Sequence, residues 1–343
     1  MKPHRSSSSH LLQSLHHRFT SRLSVPVSVF FLCLSLCAPC LCGQFSFFAS
    51  STDAQVQPVR PPITGIAHVR LYSTDLYKSR EFYTRVLGLA HGTAGCIAAT
   101  RPCFTVNDRQ QIELVQVTAG APANLLAEVA FATPDVEQMR SYLVAHNVNA
   151  SAISKDRSGV QHFELHDPEG VPLAFVQLPS ERFFTAPADQ VSTRMVHAGF
   201  IVKDRAAEDH FYMDILGFRM YWHGGFKDAD RSAVASEKDN DWWEIQVPDG
   251  TDWIEYMLNI PSNADHNERG IQNHFSFAVA HIKPAVARLR VNGLKTTDEP
   301  EIGRDGKWSF DIYDPDMTRV EFMEFKPAQA PCCNPYSGPQ PQP

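Results

Sequence analysis

The sequence predicts an α+β protein built from four copies of one strand–helix–strand unit, which form two domains in tandem. Three observations support this prediction. A chain of 343 residues is too long for one ordinary small domain. Its composition, 43% hydrophobic and 20% charged residues, is typical of a soluble globular protein. The chain also repeats itself, and internal repetition constrains a fold more strongly than residue propensities do.

The clearest repeat is the motif Phe-Tyr-x-x-(Val/Ile)-Leu-Gly, which occupies residues 82–88 and again residues 211–217. The same shift of 129 residues places His68 onto His197. Further along the chain, Asp167 and the proline after it correspond to Asp314 and the next proline, with a shift of 147 residues. Two halves therefore share one plan, and we assign an amino-terminal domain to residues 63–180 and a carboxy-terminal domain to residues 195–326.

Within each half the plan occurs twice. A short strand over residues 66–72 leads into an amphipathic helix, Leu76–Leu87, which ends at Gly88, a residue type common after the last helical turn. A second strand over residues 127–132 is followed by a helix that begins at Asp135. Each unit is therefore a strand, a helix and three strands. The four modules cover about 63–118, 126–179, 195–260 and 272–326.

The composition of the first 54 residues predicts a targeting segment. A basic, serine-rich stretch precedes residues 23–52, which contain no charged residue, and small residues follow up to Ala54. This order is typical of a secretory signal cleaved near Ala54, so we expect an exported protein, periplasmic or extracellular. The alternative is membrane anchoring through residues 23–49. At the other end, residues 327–343 contain six prolines and no apolar period, which predicts disorder.

Charge excludes one class of partner. The net charge is −7, and the basic leader leaves the rest of the chain more acidic still. Binding to nucleic acid needs clustered lysine and arginine to neutralise phosphates, and no basic stripe is present. We therefore expect a small-molecule substrate and no nucleic acid, while the oligomeric state stays open.

The four modules resemble the vicinal oxygen chelate superfamily, which includes glyoxalase I, the extradiol dioxygenases and the bleomycin and fosfomycin resistance proteins. The resemblance covers about residues 63–326. In that superfamily each βαβββ module can supply one metal ligand from its first strand and one from its last, and paired modules form a cup around the ion. The resemblance thus implies a metal site in this chain at His197, Glu255, His274 and Glu321.

Strand chemistry agrees with these positions. Side chains alternate between the two faces of a strand, so His197 and Gly199 share one face while bulky apolar neighbours occupy the other. Small residues beside each histidine leave space for a cavity. Neutral imidazole and carboxylate ligands suit one divalent ion of Zn, Ni, Fe(II), Mn or Co, and four such ligands leave two positions open on an octahedral ion.

The first half departs from this pattern. Its matching positions are His68, Glu113, Glu128 and Ala174. Alanine cannot bind a metal, so we expect a degenerate copy that serves as scaffold. One alternative stays open, in which module one pairs with module four, so that His68 and Glu113 join His274 and Glu321. The shorter connection favours the pairing of modules three and four.

The resemblance implies a glyoxalase-like reaction, in which a metal-bound glutamate, Glu321 or Glu255, moves a proton next to a carbonyl. Asn259 matches a glyoxalase residue that helps to hold glutathione, and we also expect Trp253 to contact the substrate. However, an arginine expected four residues after the first histidine is Ile201 here, which argues against a strict lactoylglutathione lyase.

Two other functions remain. An extradiol ring-cleaving dioxygenase needs two histidines and one glutamate around Fe(II), which His197, His274 and Glu321 supply; the tyrosine usual some ten residues before the last glutamate is Asp311. The third interpretation is a non-catalytic protein that binds or sequesters small molecules. It is favoured by the concentration of tryptophan in the second half, where all five occur.

Overall fold

The computed structural model describes residues 58–92, 101–117, 124–156, 159–179, 184–225 and 241–343. They belong to one compact unit that runs from Gln55 to Pro343. The predicted leader, with its signal peptide or its membrane anchor over residues 23–49, lies outside the described residues. In the described part of the chain, no helix has the length and apolar character that a membrane span requires.

The amino-terminal half contains two βαβββ modules, as predicted. The first comprises β1 Gly65–Ser73, α1 Leu76–Glu81 with a π-helical turn Phe82–Val86, β2 Ala90–Gly92, β3 Cys103–Thr105 and β4 Gln111–Gln116. The second comprises β5 Leu126–Ala132, α2 Val136–Ala145, β6 Ser154–Lys155, β7 Gln161–His166 and β8 Pro172–Gln177. These eight strands form one sheet in the order β2-β3-β4-β1-β5-β8-β7-β6.

The carboxy-terminal half repeats this architecture. Its first module comprises β9 Arg194–Ile201, α3 Arg205–Asp209 with a π-helical turn His210–Ile215, β10 Arg219–Gly225, β11 Asp241–Gln246 and β12 Trp253–Leu258. After a connecting helix, α4 His266–Gln272, the second comprises β13 His274–Val279, α5 Ile282–Val291, β14 Glu301–Ile302, β15 Trp308–Tyr313 and β16 Arg319–Glu324. The order in this sheet is β10-β11-β12-β9-β13-β16-β15-β14.

Both sheets are mixed in the same way. The first and last strands of each module lie side by side and parallel, as β9 does with β12 and β13 with β16. The two modules of a half meet at an antiparallel pair, β1 with β5 and β9 with β13. The first and last strands of two modules therefore occupy the centre of each sheet, which is where the predicted ligands lie.

Local sequence explains how most of the helices begin. Four of the five α-helices in the described residues follow an aspartate whose carboxylate accepts backbone N–H groups of the first turn: Asp75, Asp135, Asp204 and Asp265. Such caps satisfy donors that have no partner inside the helix. The predicted stop of the first helical segment is confirmed at Gly88, which has a positive φ of 75° that favours glycine.

The two halves share one apolar core. A continuous cluster of buried side chains includes residues of both sheets, and the ring of Phe131 meets the ring of Phe218 edge to face at 5.3 Å. Polar contacts reinforce this interface, because the N–H of Met195 donates to Oε1 of Gln110 at 2.9 Å. The first half thus supports the second through packing.

The repeated motifs meet each other across that interface. The hydroxyl of Tyr83, in the first Phe-Tyr motif, donates to Oδ2 of Asp314 at 3.0 Å. The hydroxyl of Tyr212, in the second Phe-Tyr motif, donates to Oδ2 of Asp167 at 3.4 Å. All four side chains are buried. Each half therefore contributes one tyrosine and one Asp-Pro turn, in a reciprocal arrangement.

The prediction of disorder for residues 327–343 is wrong. The tail lies along β10 and β11, where Nε1 of Trp222 donates to the carbonyl of Cys332 at 3.1 Å and Nε2 of Gln246 donates to that of Pro339 at 2.9 Å. The Tyr336 ring packs 4.8 Å from the ring of Tyr221. Proline removes backbone donors, but a segment without secondary structure is still ordered when its carbonyls and one aromatic ring find partners.

Candidate metal centre

The central strands of the carboxy-terminal sheet bring the predicted ligands together. In the β9–β13 pair His274 lies opposite Gly199, and Ser276 lies opposite His197. Glu255 on β12 is also in register with Gly199, and Glu321 on β16 is in register with Ser276. Modules three and four share this sheet, whereas β1 lies in the other one. The alternative pairing of modules one and four is therefore wrong.

Gly199 provides the space that the second histidine needs. A Cβ atom at position 199 would lie 2.1 Å from Cε1 of His274 and 2.5 Å from its Nδ1, closer than any side chain tolerates. The imidazole of His274 thus lies directly against the β9 backbone. The sequence prediction that small residues make room beside the histidines is confirmed at this position.

Four side chains converge at the centre of the sheet. Nε2 of His197 and Nε2 of His274 are 3.0 Å apart, and Oε2 of Glu255 is 3.0 Å from the latter nitrogen. Oε2 of Glu321 is 3.2 Å from Nε2 of His197 and 3.8 Å from Nε2 of His274. Both histidines are buried, and both carboxylates are nearly so.

The protonation of His274 suits a metal ligand. Its Nδ1 lies 3.1 Å from the carbonyl oxygen of Gln272, which identifies Nδ1 as the protonated nitrogen and leaves the lone pair of Nε2 facing the other three side chains. Burial lowers the pKa of His274 to about 4, and the charge of Arg319 contributes. The imidazole is therefore neutral at physiological pH, the form that binds metal ions.

Both carboxyl groups are ionised. Burial opposes the ionisation of Glu321, but its hydrogen bond with His197 and the positive charge of Arg319 outweigh burial and lower its pKa to about 2. The pKa of Glu255 is also lowered, because its contacts with His274 and His197 outweigh burial. The two carboxylates are negatively charged and the imidazole of His274 is neutral, so this buried cup has an excess of negative charge. A bound cation would neutralise that charge.

This donor set fits a divalent ion. Ligands about 2.1 Å from an octahedral ion lie about 3.0 Å apart when adjacent and about 4.2 Å apart when opposite. The ligand-to-ligand distances given above, from 3.0 to 3.8 Å, fall within this range. Within the described residues, His197, Glu255 and His274 form a group of side chains whose ligand atoms are all within 4.8 Å of one another. Their role as metal ligands stays a prediction.

The corresponding cup of the amino-terminal sheet contains an arginine. Arg70 corresponds to Gly199 in the repeat, and its guanidinium lies 2.9 Å from Oε2 of Glu113 and 2.7 Å from Oε2 of Glu128. Nε2 of His68 is 2.8 Å from Oε1 of Glu128. The carboxylates at the predicted ligand positions of this half are thus neutralised by the guanidinium of Arg70, which agrees with the expected role of this half as scaffold.

A cavity of about 190 Å³ opens beside the candidate metal centre. Its lining includes His197, Trp242, Glu244, Glu255, Met257, Ile271, Gln272, Gly303, Arg304, Asp305, Ser309, Arg319, Glu321 and Met323. The wall therefore contains both apolar and charged groups, as in a site for a small polar molecule.

Three of the wall residues that were not predicted from the sequence bear on the chemistry of the cavity. Arg319 is two residues before Glu321 on β16, so strand alternation alone places it on the same face. Gln272 ends α4, a helix that we did not predict. Glu244 lies opposite Glu255 in the β11–β12 pair. Burial raises the pKa of Glu244 well above its usual range, against the pull of Lys307, which favours the protonated form of this carboxyl.

The two predicted substrate-binding residues are not part of the wall formed by the described residues. Trp253 is fully buried, and its ring packs 5.0 Å from that of His197, so it supports a candidate ligand from behind. Asn259 follows the end of β12 with a positive φ of 62° and lines a different hollow, beside Val202 and Lys203. Strand alternation placed Asn259 on the face of Glu255, but β12 ends before that residue.

The paired βαβββ sheets and the histidine–carboxylate cup define a tandem-domain protein with a candidate metal centre in its second sheet. Residues 194–322 match the Glyoxalase/Bleomycin resistance protein/Dioxygenase superfamily. These residues make up most of the carboxy-terminal half, so the match is to that half of the chain; the superfamily is also known as the vicinal oxygen chelate superfamily. Comparison with curated proteins gave no match.

Solved structures with the same fold include ring-cleaving dioxygenases. A variant of homoprotocatechuate 2,3-dioxygenase from B. fuscum is 21% identical, with a TM-score of 0.56 over 83% of this chain and 75% of that chain. The 2,3-dioxygenase LapB from Pseudomonas sp. KL28 is 14% identical, with a TM-score of 0.58 over 83% of this chain and 96% of that chain. At these identities the similarity establishes the fold alone.

Proposed function

We propose that this protein is a divalent-metal-dependent enzyme that binds a small substrate through two neighbouring oxygens and shifts a proton next to a carbonyl. The convergence of His197, Glu255, His274 and Glu321 supports the proposal, because four ligands leave two positions of an octahedral ion open for such a substrate. A protein that only sequesters small molecules needs no such centre. The metal, when bound, acts as a Lewis acid that polarises the substrate carbonyl.

The chain's own residues supply the proton chemistry. Glu255 and Glu321 are ionised and line the cavity, so either carboxylate is in place to accept a proton from substrate carbon. Glu244 lines the same cavity, and burial raises its pKa, which favours its protonated form. The apolar groups Trp242, Met257 and Ile271 limit the access of water, which strengthens the electrostatic interactions inside.

Extradiol ring cleavage is the second candidate function. The observation that favours it is the shared tandem fold with two 2,3-dioxygenases. His197, His274 and Glu321 would provide the two-histidine, one-carboxylate set that such chemistry uses with Fe(II). In this interpretation Glu255 is an additional carboxylate at the centre.

Metal content tests the site. We expect about one equivalent of Zn, Ni, Fe, Mn or Co in the chain from residue 55 onward, purified without a histidine tag and analysed for elements. His274→Ala should lose this metal. The control is His210→Ala, because His210 is an exposed histidine that pairs with nearby Asp214. Stoichiometric metal in the His274→Ala protein would contradict the assignment.

Glu255→Gln separates the two candidate reactions. A proton-shifting enzyme should lose most of its activity, measured as exchange of substrate α-hydrogen for deuterium in D₂O. A dioxygenase that uses the other three ligands should keep its oxygen uptake with catechols and Fe(II). A wild-type protein that binds metal but catalyses neither reaction would favour the binding-protein interpretation.

A further inference from the structure

The guanidinium of Arg319 lies inside the candidate metal centre. Its Nη2 is 2.7 Å from Nε2 of His274 and 4.0 Å from Oε2 of Glu255. On the other side, Nη1 is 3.5 Å from Oδ2 of Asp311. Only 15% of the Arg319 side chain is exposed, so the charge is held within the cup. This arginine thus lies between a candidate metal ligand and a carboxylate outside the ligand set.

The contact with His274 uses the lone pair that a metal ion would need. Because Nδ1 of His274 faces the carbonyl of Gln272, Nε2 is the nitrogen with a free lone pair. That lone pair can accept a hydrogen bond from the guanidinium or bind a metal ion, but it cannot do both. Metal binding therefore requires Nη2 to leave Nε2 of His274.

The amino-terminal sheet shows that this fold accepts a guanidinium as the cation of its cup. There Arg70 contacts Glu113 and Glu128, which occupy the positions that Glu255 and His274 occupy in the second sheet. Arg70 also has a carboxylate outside the ligand positions, since Oε1 of Glu164 is 3.9 Å from its Nη1 and half exposed. The corresponding distance from Arg319 to Asp311 is shorter, 3.5 Å, so Asp311 offers the guanidinium of Arg319 a second position.

We propose that Arg319 is an internal counter-ion that competes with the divalent metal for His274 and moves toward Asp311 when the metal binds. It is a positioning residue: it neutralises the carboxylates of the metal-free centre, lowers the affinity for metal and speeds metal exchange. This inference depends on the metal binding proposed above. It adds to that proposal a residue that sets how tightly the ion is held.

Metal affinity tests the proposal without any assay of catalysis. The Kd for Zn²⁺ is measured by competition with a chromophoric chelator, using chelator-stripped protein. We expect Arg319→Met to bind Zn²⁺ about tenfold more tightly or better, and to release it more slowly. Arg290→Met is the matched control, because Arg290 lies on α5, pairs with Glu299 away from the ligands and should leave the Kd unchanged.

Asp311→Asn provides a change in the opposite direction. Without this carboxylate the guanidinium has no second position, so metal binding should weaken. A general loss of negative charge would also weaken binding, and a double-mutant cycle separates the two causes. If Asp311 acts through Arg319, then Asp311→Asn should have little effect in the Arg319→Met background. An equal effect in both backgrounds would contradict the proposal.

A direct readout of the contact is the ¹⁵N resonance of His274 Nε2 in the stripped protein. Loss of the guanidinium should shift this resonance in Arg319→Met and not in Arg290→Met. Unchanged or weaker Zn²⁺ affinity in folded Arg319→Met protein would overturn the inference while leaving metal binding by the wild type intact. Absence of metal binding in both wild type and Arg319→Met would overturn both proposals. Binding in the variant alone would support the competition.

Discussion

Position 199 decides which of the two sheets has an open cup. The repeat places Gly199 where the amino-terminal sheet has Arg70, and it places His274 where that sheet has Glu128. Glycine leaves the volume above β9 free for the imidazole, whereas arginine fills that volume and neutralises the glutamate. The two substitutions compensate each other, because a guanidinium requires a carboxylate partner when it is buried. A small change of side chains thus converts one candidate site into scaffold.

We predict that Gly199→Ala disrupts the centre even though it adds a single methyl group. The new Cβ would lie 2.1 Å from the ring of His274, and a ring packed against backbone cannot move aside cheaply. Metal affinity should fall by about tenfold to a hundredfold, as measured by chelator competition.

Gly250→Ala is the matched control for this prediction. Its Cβ would lie 2.1 Å from the backbone oxygen of Thr64, at the contact between the halves and away from the ligands. It should therefore lower stability while leaving the Kd for metal unchanged. Equal losses of metal affinity in the two variants would show that the effect of Gly199→Ala is general destabilisation.

The elements differ in how well their sequences predict them. The strands that carry His197, Glu255, His274 and Glu321 were predicted because apolar and polar residues alternate along them. Helix α4 was missed, since residues 261–272 are mostly polar and lack an apolar period. A local signal was nevertheless present: the carboxylate of Asp265 accepts the N–H of Glu268, the aspartate-to-glutamate spacing of a helix start.

Arg319 was missed for a different reason. Strand alternation placed it on the face of Glu321, but nothing in one strand's sequence reveals that its guanidinium would reach His274 on β13. Contacts between neighbouring strands depend on register, which is set by the whole sheet. The ordered structure of the tail could not be predicted from the sequence either, because the ring of Tyr336 packs on β10, more than 100 residues earlier in the chain.

Helix α3 carries a buried carboxyl group that should make stability depend on pH. Glu208 is fully buried, and Oε1 accepts the N–H of Glu169 at 3.0 Å. Burial raises its pKa from 4.5 to about 8, with a further contribution from Asp167. Between these values the folded state binds more protons than the unfolded state, so the free energy of unfolding should fall as the pH rises.

We expect this loss to be on the order of 3 kcal/mol between about pH 5 and about pH 8, measured by urea denaturation. Glu208→Gln should reduce the slope above about pH 6, where Asp167, with a pKa of about 6, has already titrated and the raised pKa of Glu244 contributes the remainder. Glu137→Gln, at an exposed position of α2, should keep the wild-type slope. The same slope in Glu208→Gln and wild type would refute this origin.

The tail should contribute measurably to stability through Tyr336. Its ring packs on Tyr221 and its hydroxyl donates to the carbonyl of Asp305 at 3.0 Å. Tyr336→Ala should lower the free energy of unfolding by about 2 kcal/mol, and Tyr336→Phe, which keeps the ring, by about 1 kcal/mol. Urea denaturation followed by tryptophan fluorescence measures both, and equal stability of all three proteins would mean that the tail is not held by this residue.

The whole molecule is held together by contacts between halves that repeat about a pseudo-twofold relation. The Phe-Tyr motif of module one reaches the Asp-Pro turn of module four, and that of module three reaches the turn of module two. The motifs that repeat in the sequence therefore make contacts between the halves, in addition to forming equivalent elements within each half. Because the apolar core is continuous across the same interface, we expect the two halves to unfold as one unit.

Removal of the two tyrosine hydroxyls tests this coupling. Tyr83→Phe removes the donor to Oδ2 of Asp314 at 3.0 Å, and Tyr212→Phe removes the donor to Oδ2 of Asp167 at 3.4 Å, while backbone N–H groups still bind Oδ1 of each aspartate. Each change should lower the free energy of unfolding by about 1–2 kcal/mol, because a buried acceptor loses its partner.

If the halves form one cooperative unit, each variant lowers the stability of the whole protein and the two losses add in the double variant. Urea transitions followed by fluorescence and by circular dichroism should then coincide, since all five tryptophans belong to the second half whereas circular dichroism reports on both. A double variant in which the two transitions separate would show that the hydroxyls couple domains that are otherwise independent.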